Sequence, residues 1–314
     1  MILDIVAAFC DKDYECVDFF LQTIEDKVHI PHNVILVDNR ENYRNAFINF
    51  RDAKVISKGY NTYQFEARRY VAQFLSGDYV WFVDIDDEIL SIDGYLESVN
   101  TDFVVFNYTI LNTILSLPSS YYFKEEMFGE YKEHVMSMDD FWKIPENEDA
   151  WYLVGCTLWN KWFKTSLVRK CMEIVPENQI IVASEDLFYT GLFMEHSEDV
   201  TFERCPAYIY YEKRAQGGED NVTVDRFMHI TRGYDKVRAL FDKNFKHPER
   251  YNNIQFSVAY FLSKMFVINN TEECLDRMKQ IFTKEEIING SKHDWVKNGN
   301  SSFKRFVKTV LKKL

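Results

Sequence analysis

Glycine and proline are scarce in this 314-residue chain, at 11 and 6 residues, which excludes collagen-like, linker-dominated and low-complexity architectures. No stretch reaches the apolar length that a membrane-spanning helix requires. Basic residues are in deficit too. The 37 Lys and Arg face 49 Asp and Glu, and the net charge of −12 repels phosphate-coated polymers, so no nucleic-acid partner is expected. The six cysteines, Cys10, Cys16, Cys156, Cys171, Cys205 and Cys274, form no CxxC pair and no Cys/His cluster. That pattern speaks against structural zinc and for buried free thiols in a reducing compartment. The opening residues MILDIVAAF carry an acid at Asp4 and no basic leader, as a first strand does and a signal peptide does not. A cytoplasmic location is the expectation.

What is present is ordinary globular material, 46% hydrophobic and 27% charged, with an excess of aromatics, 26 Phe and 19 Tyr. Rings in such number fill a core or line a site where bases and sugars stack, and composition does not choose between the two. In the first hundred residues short apolar runs alternate with helix-period segments. The runs ILDIVAAF, NVILVD, AKVIS, DYVWFVD and DFVVFNY predict strands of a mostly parallel, Rossmann-like sheet flanked by helices. Ala67, Tyr70, Val71, Phe74 and Leu75 recur at helical spacing, with Gly77 where a helix C-cap is expected. From about 110 to 180 the pattern loosens and predicts no strand. SEDLFYTGLFMEHS then reads as a helix with Ser184 as N-cap, AYIYYEK as a further strand, and everything after residue 222 as helical. The predicted organisation is an α/β domain over 1–222 and a helical appendage over 223–314.

Ligands of open α/β sheets sit past the C-terminal ends of the strands, so side chains there are the candidates for chemistry. The strand DYVWFVD runs into Asp84-Ile85-Asp86-Asp87-Glu88, four acids in five positions. Such like charges repel unless they are spread into solvent as an ordinary acidic turn or neutralised by a hard divalent cation that also grips phosphate oxygens. An EF-hand is disfavoured because Ile89 stands where its loop needs glycine.

Six pieces in order resemble the family 2 glycosyltransferases: VILVD ending at Asp38, NTYQFEAR from Asn61 to Arg68, FVDIDD, the block Trp159-Asn160-Lys161-Trp162-Phe163, the pair Glu185-Asp186, and YIYYEKR. The resemblance covers roughly residues 3–215. It implies a GT-A fold and inverting transfer of a sugar from a nucleotide diphosphate, with UDP-sugars foremost, to an acceptor hydroxyl in surface polysaccharide or other glycan synthesis. It also departs from the family, with Ala7 and Cys10 in the first exit loop, Tyr63 in place of a glycine and Arg69 in place of an asparagine.

By this resemblance Asp186 is the general base, Asp86 the ligand of Mn2+ or Mg2+, and Asp84 a contact to the ribose or the metal shell. Asp38, Asn61 and Arg68 contact the base or diphosphate, and Phe9 stacks on the base. Trp159 and Glu185 lie on the acceptor side, with Trp159 as a platform for a saccharide or lipid-linked acceptor, and Arg214 beside Gly217 and Gly218 closes over the diphosphate. Each has a plainer reading as well: Asp186 as a helix-dipole acid, Asp38 as a turn cap, Arg68 as a surface cation, Phe9 and Trp159 as core.

The segment SSFKRFVKTVLKKL stands apart. Phe303, Phe306, Val307, Val310, Leu311 and Leu314 make one apolar stripe, and Lys304, Arg305, Lys308, Lys312 and Lys313 share the rest with no acid among them. Residues 301–314 therefore predict peripheral contact with the inner face of an anionic membrane, or else packing on the protein itself or on a second copy in a homo-oligomer. Two other functions share the fold: a non-catalytic sugar-nucleotide-binding protein, disfavoured by the presence of both Asp86 and Asp186, and a sugar-nucleotidyltransferase, disfavoured because AAFCDKDYEC lacks a glycine-rich phosphate loop.

Overall fold

The computed structural model describes residues 1–11, 13–40, 50–92, 99–112, 117–121, 135–143, 157–179, 181, 185–212, 223–246 and 254–314. The chain divides into two units, Met1–Ile180 with Asp186–Gln216, and Ile181–Glu185 with Gly217–Leu314.

In chain order the first unit holds β1 (Leu3–Phe9), α1 (Cys16–Lys27), β2 (His32–Asp38), β3 (Lys54–Ile56), α2 (Tyr63–Val71), β4 (Tyr79–Asp84), β5 (Glu88–Ile89), β6 (Phe103–Asn112), β7 (Leu117–Tyr121), β8 (Val135–Ser137), α3 (Met138–Phe141), β9 (Lys161–Lys164), α4 (Thr165–Met172), α5 (Glu185–Glu195) and β10 (Asp199–Glu212). The sheet runs β3-β2-β1-β4-β9-β6-β10-β5, with β7 on β6 and β8 on β10. β1 is parallel to β2 and to β4, β2 to β3, and β6 to β10. All seven residues of β1 and the first five of β4 are buried, as apolar runs require of strands covered on both faces; the one acid among them, Asp4, accepts the Gly77 N–H.

Two expectations need correction. The stretch from 110 to 180 does contain strands, β7, β8 and β9, and β9 lies antiparallel between β4 and β6, pairing Trp81 with Trp162 and Val104 with Trp162. Its four residues are too few for a periodicity, and its first, Lys161, interrupts the apolar pattern. The Lys161 ammonium is buried and donates to the Thr157 carbonyl at 2.5 Å and to Asn160 Oδ1 at 2.6 Å, which satisfies a charge that would otherwise be costly there. The second correction concerns Gly77. Helix α2 ends at Val71 and continues only as a 3₁₀ turn over Ala72–Phe74, so Gly77 is no C-cap. Its N–H donates to Asp4 Oδ2 at 2.8 Å, and a Cβ there would stand 2.7 Å from the Ile2 carbonyl oxygen. Close backbone approach, not helix termination, demands glycine. Strand β10 is longer than AYIYYEK, and its pairing with β6 shifts register around Pro206, which has no N–H to give the ladder.

The second unit is helical, as expected: α6 (Val224–Asn244), α7 (Ile254–Val267), α8 (Glu272–Ile281), α9 (Lys284–Gly290), α10 (Asp294–Asn298) and α11 (Ser301–Lys313). Side chains satisfy the helix starts. Thr223 Oγ1 accepts from the Arg226 N–H, Thr283 and Glu286 form a reciprocal capping box, and Asn300 Oδ1 accepts from the Phe303 N–H. The core is built around Phe227, Phe261, Leu262 and Met278. It also takes in Phe303, Val307 and Val310 of α11, with Phe306, Leu311 and Leu314 packed against it. Of the two readings of this stripe, the structure shows packing on the protein's own helices, because burying it there removes the same surface from water as lipid would. None of the described helices is long and apolar enough to cross a membrane.

Candidate active site

Parallel register alone brings three of the sequence-predicted residues to one edge. Phe9 pairs with Asp38, and Ala8 with Asp84, so β1, β2 and β4 end side by side. Two helices then deliver the remaining charges. Helix α2 begins beside this edge: the Thr62 hydroxyl donates to Asn39 Oδ1 at 2.7 Å, and Asn61 Oδ1 accepts the Tyr63 N–H at 2.9 Å. Tyr63 itself has φ 56°, the left-handed region that costs a non-glycine residue about 1–2 kcal/mol. Helix α5 is fixed to α2 by the Tyr189 hydroxyl, which donates to the Phe65 carbonyl at 2.8 Å, and to the turn before β9 by Thr190 Oγ1, which donates to the Thr157 carbonyl at 3.1 Å.

These constraints bring Arg68, Asp84 and Asp186 together. One guanidinium nitrogen of Arg68 donates to Asp186 Oδ1, and the other lies 3.6 Å from Asp84 Oδ1. The arginine side chain is 6% exposed and each carboxylate 26%, so the triad is largely desolvated yet open on one side. Burial, and next the negative charge of Asp186, push the Asp84 carboxyl well above the usual aspartate range; Arg68 opposes this, and Asp87 and Asp86 add to it.

The four acids of the turn have separate fates. Asp84 faces Arg68. Asp87 is buried and turned inward, its Oδ2 accepting from the Tyr208 hydroxyl and its Oδ1 from the Tyr211 N–H, both at 2.8 Å. Glu88 Oε2 accepts from the Tyr211 hydroxyl at 2.5 Å. Asp86 stays half-buried at the tip of the turn. The repulsion read from the sequence is thus relieved by partition. Among the described residues no group of three or more His, Cys, Asp or Glu is arranged to hold a metal ion. Asp84 and Asp86 nevertheless fit a hard divalent cation, which needs only one or two carboxylate oxygens when substrate phosphates supply others, and Asp84 already carries an excess of neighbouring negative charge.

At the residues expected to contact the base, Asp38 and Phe9, the structure places other partners. Asp38 is 1% exposed and its carboxylate is taken by Arg40, whose Nε donates to Oδ1 at 2.9 Å and whose terminal nitrogen donates to Oδ2 at 2.6 Å. The Arg40 guanidinium also lies 5.3 Å from the Phe9 ring centroid, and Phe9 is 1% exposed. Neither Asp38 nor Phe9 presents an open group; a buried carboxylate needs a cation, and Arg40 is the nearest in sequence. The sequence reading missed Arg40, although an Asp-x-Arg at a strand end is a signal that could have exposed it. Trp159, expected as an open platform, is 6% exposed and stacks on Tyr208 and Tyr210 at 4.9 and 5.3 Å, so its ring belongs to the sheet's aromatic packing. Glu185 opens α5 and is half-buried. Arg214, with Gly217 and Gly218, and the expected N-cap Ser184 lie outside the described residues.

The architecture is a GT-A-type α/β fold, a mixed and mostly parallel sheet flanked by helices and followed by C-terminal helices. It resembles S. aureus TarS 1–349 along 100% of this chain and 91% of that one, with a TM-score of 0.55 at 13% identity. The same fragment in complex with UDP-GlcNAc aligns with a TM-score of 0.56 at 13% identity and the same coverage, and in complex with UDP with 0.51 at 12%. No family model matches the chain, and no curated protein matches it by sequence.

Proposed function

We propose that the protein is an inverting glycosyltransferase that takes a sugar from a nucleoside diphosphate, UDP by preference, and places it on a hydroxyl of a saccharide or lipid-linked saccharide in surface-glycan synthesis. The observation that carries this reading is the pairing of Asp84 and Asp186 on Arg68, at the strand edge where α/β folds bind their ligands. Likeness of fold to TarS structures holding UDP-GlcNAc and UDP supports the choice of donor class.

The reaction divides between two acids. Asp186 takes the proton of the acceptor hydroxyl as its oxygen forms a bond to the anomeric carbon; the bond from that carbon to the diphosphate oxygen breaks, and the diphosphate leaves with the electron pair. Mn2+ or Mg2+, held by Asp86 with Asp84 in its shell, would stabilise the charge on the departing diphosphate. Arg68 orients Asp186 through their ion pair and offers a cation to the same charge. Asp38 acts on the nucleobase side through Arg40, which it holds over Phe9. Residues 1–222 form the catalytic domain in this reading and residues 223–314 the appendage.

The appendage carries the opposite charge, with 18 Lys and Arg against 10 Asp and Glu in a chain of net −12. Lys304, Arg305, Lys308 and Lys312 are exposed along α11. Contact with an anionic membrane is therefore electrostatic in this reading and involves no insertion of the apolar face. Calorimetric titration of UDP with and without Mn2+ tests the assignment, and a panel of nucleotide sugars screened for slow metal-dependent hydrolysis names the donor. Absence of UDP binding in the presence of Mn2+ overturns it.

A further inference from the structure

The Tyr208 phenol, wholly buried on β10, joins both ends of the acidic turn. Its oxygen accepts the Asp84 N–H at 3.0 Å and donates to Asp87 Oδ2 at 2.8 Å. A hydroxyl has one proton, and the Asp87 carboxylate can only accept it, so the lone pair is left facing the Asp84 amide and the direction of both bonds is fixed. The ring has no freedom to swing away. It stacks on Trp159 at 4.9 Å and meets Trp81 at 6.1 Å, while its backbone pairs with Tyr108 of β6 on one side and Ile89 of β5 on the other. Asp87 is anchored a second time to β10, through the Tyr211 N–H. Ile85, between the two exposed-side acids, is buried at 3% exposure. Within the turn itself the Asp87 N–H donates to the Asp84 carbonyl at 3.2 Å, a long bond for a segment crowded with like charge.

We propose that Tyr208 and Asp87 are positioning residues: they hold Asp84-Ile85-Asp86 in the shape that receives the donor's diphosphate with its cation, without touching the donor. The proposal rests on the donor site described above. It also accounts for two features that the metal-ligand reading leaves without a role, the inward fourth-position acid and the aromatic ladder of Trp159 and Tyr208 behind the turn. A turn of this kind must keep its carboxylates close together against their repulsion before the ligand arrives, and preorganisation of that sort is supplied by groups whose own orientation is locked.

Tyr208→Phe tests this on the full chain, since it keeps the ring and its stacking and removes only the hydroxyl; Asp87→Asn is the second variant. UDP is titrated calorimetrically into each protein with Mn2+ and again in EDTA, and thermal unfolding is measured alongside. Both variants are expected to bind UDP about tenfold more weakly with Mn2+ and to change little in EDTA, with Tyr208→Phe folding as the wild type does but melting a few degrees lower, because Asp87 loses one buried donor and keeps the Tyr211 N–H. The double variant should lose less than the sum of the two single losses, because the two residues share one bond. Wild-type affinity in Tyr208→Phe, or an equal loss with and without Mn2+, overturns the positioning role while leaving the donor site standing. Failure of the wild-type protein itself to bind UDP with Mn2+ removes the donor site and this role with it.

Discussion

Arg68 and Asp186 stand 118 residues apart in the chain and form an ion pair in the fold, while the other arm of the same guanidinium lies 3.6 Å from Asp84. One buried cation thus offsets two carboxylates that would otherwise repel each other across the strand edge. In the absence of ligand Arg68 is the group that makes this concentration of charge tolerable.

Replacing it with an apolar side chain of similar length should therefore cost stability. Arg68→Met leaves two carboxylates without their cation; for fully buried pairs the loss is about 3–5 kcal/mol, and the partial exposure of both acids reduces it to about 2 kcal/mol. Urea unfolding at pH 7 measures the loss, and the same experiment near pH 5 should recover part of it as Asp84, whose carboxyl is already pushed up by burial, takes up a proton. Equal stability of variant and wild type at pH 7 would show that Arg68 does not neutralise the pair.

Asp84 gives a pH dependence of its own. Burial and Asp186 raise its folded value above that of the unfolded chain, so the folded state holds the proton more tightly and ionisation costs stability. Stability should fall as pH rises from the ordinary aspartate value, about 3.9, through the raised one, and stay lowered above it. Asp84→Asn removes this penalty. Thermal melts should show the variant gaining on the wild type at pH 7 to 8 and converging with it toward pH 4, and a constant offset across that range would refute the account.

Asp186→Asn should leave UDP binding nearly unchanged and lower turnover about a hundredfold or more, because the lost function is proton removal from the acceptor. Full turnover in the variant, measured once a substrate pair is in hand, would place the base elsewhere.

For α11 the informative change is charge reversal and not truncation. Deletion after Asn300 removes Phe303, Val307 and Val310 from the core of the helical unit, at about 2–5 kcal/mol for each large side chain lost. Lys304→Glu, Arg305→Glu, Lys308→Glu and Lys312→Glu together leave that core intact. The wild type should sediment with vesicles rich in phosphatidylserine at low salt and be released at about 0.5 M salt, where the Debye length falls to a few ångströms, and the reversed variant should stay in solution. If the wild type ignores such vesicles, membrane contact fails, and light scattering of both proteins then shows whether the cationic face joins copies of the chain.

The sequence by itself determined the strands that are buried on both faces, the helical character of everything after residue 222, and the acids and arginine at the strand edge. These are legible because apolar runs and periodicities report burial locally, and because Asp84, Asp86, Arg68 and Asp186 are marked by their neighbours in the chain. Tertiary structure decided the rest. It placed β9 between β4 and β6, where a four-residue strand opened by a buried lysine leaves no periodic trace. It gave Asp38 to Arg40 and turned Asp87 away from the site toward Tyr208, because the fold places those donors next to each desolvated carboxylate. It also spent the apolar face of α11 on its own helices, because an amphipathic stripe specifies only that it must be buried, and the surface that buries it is set by the three-dimensional packing.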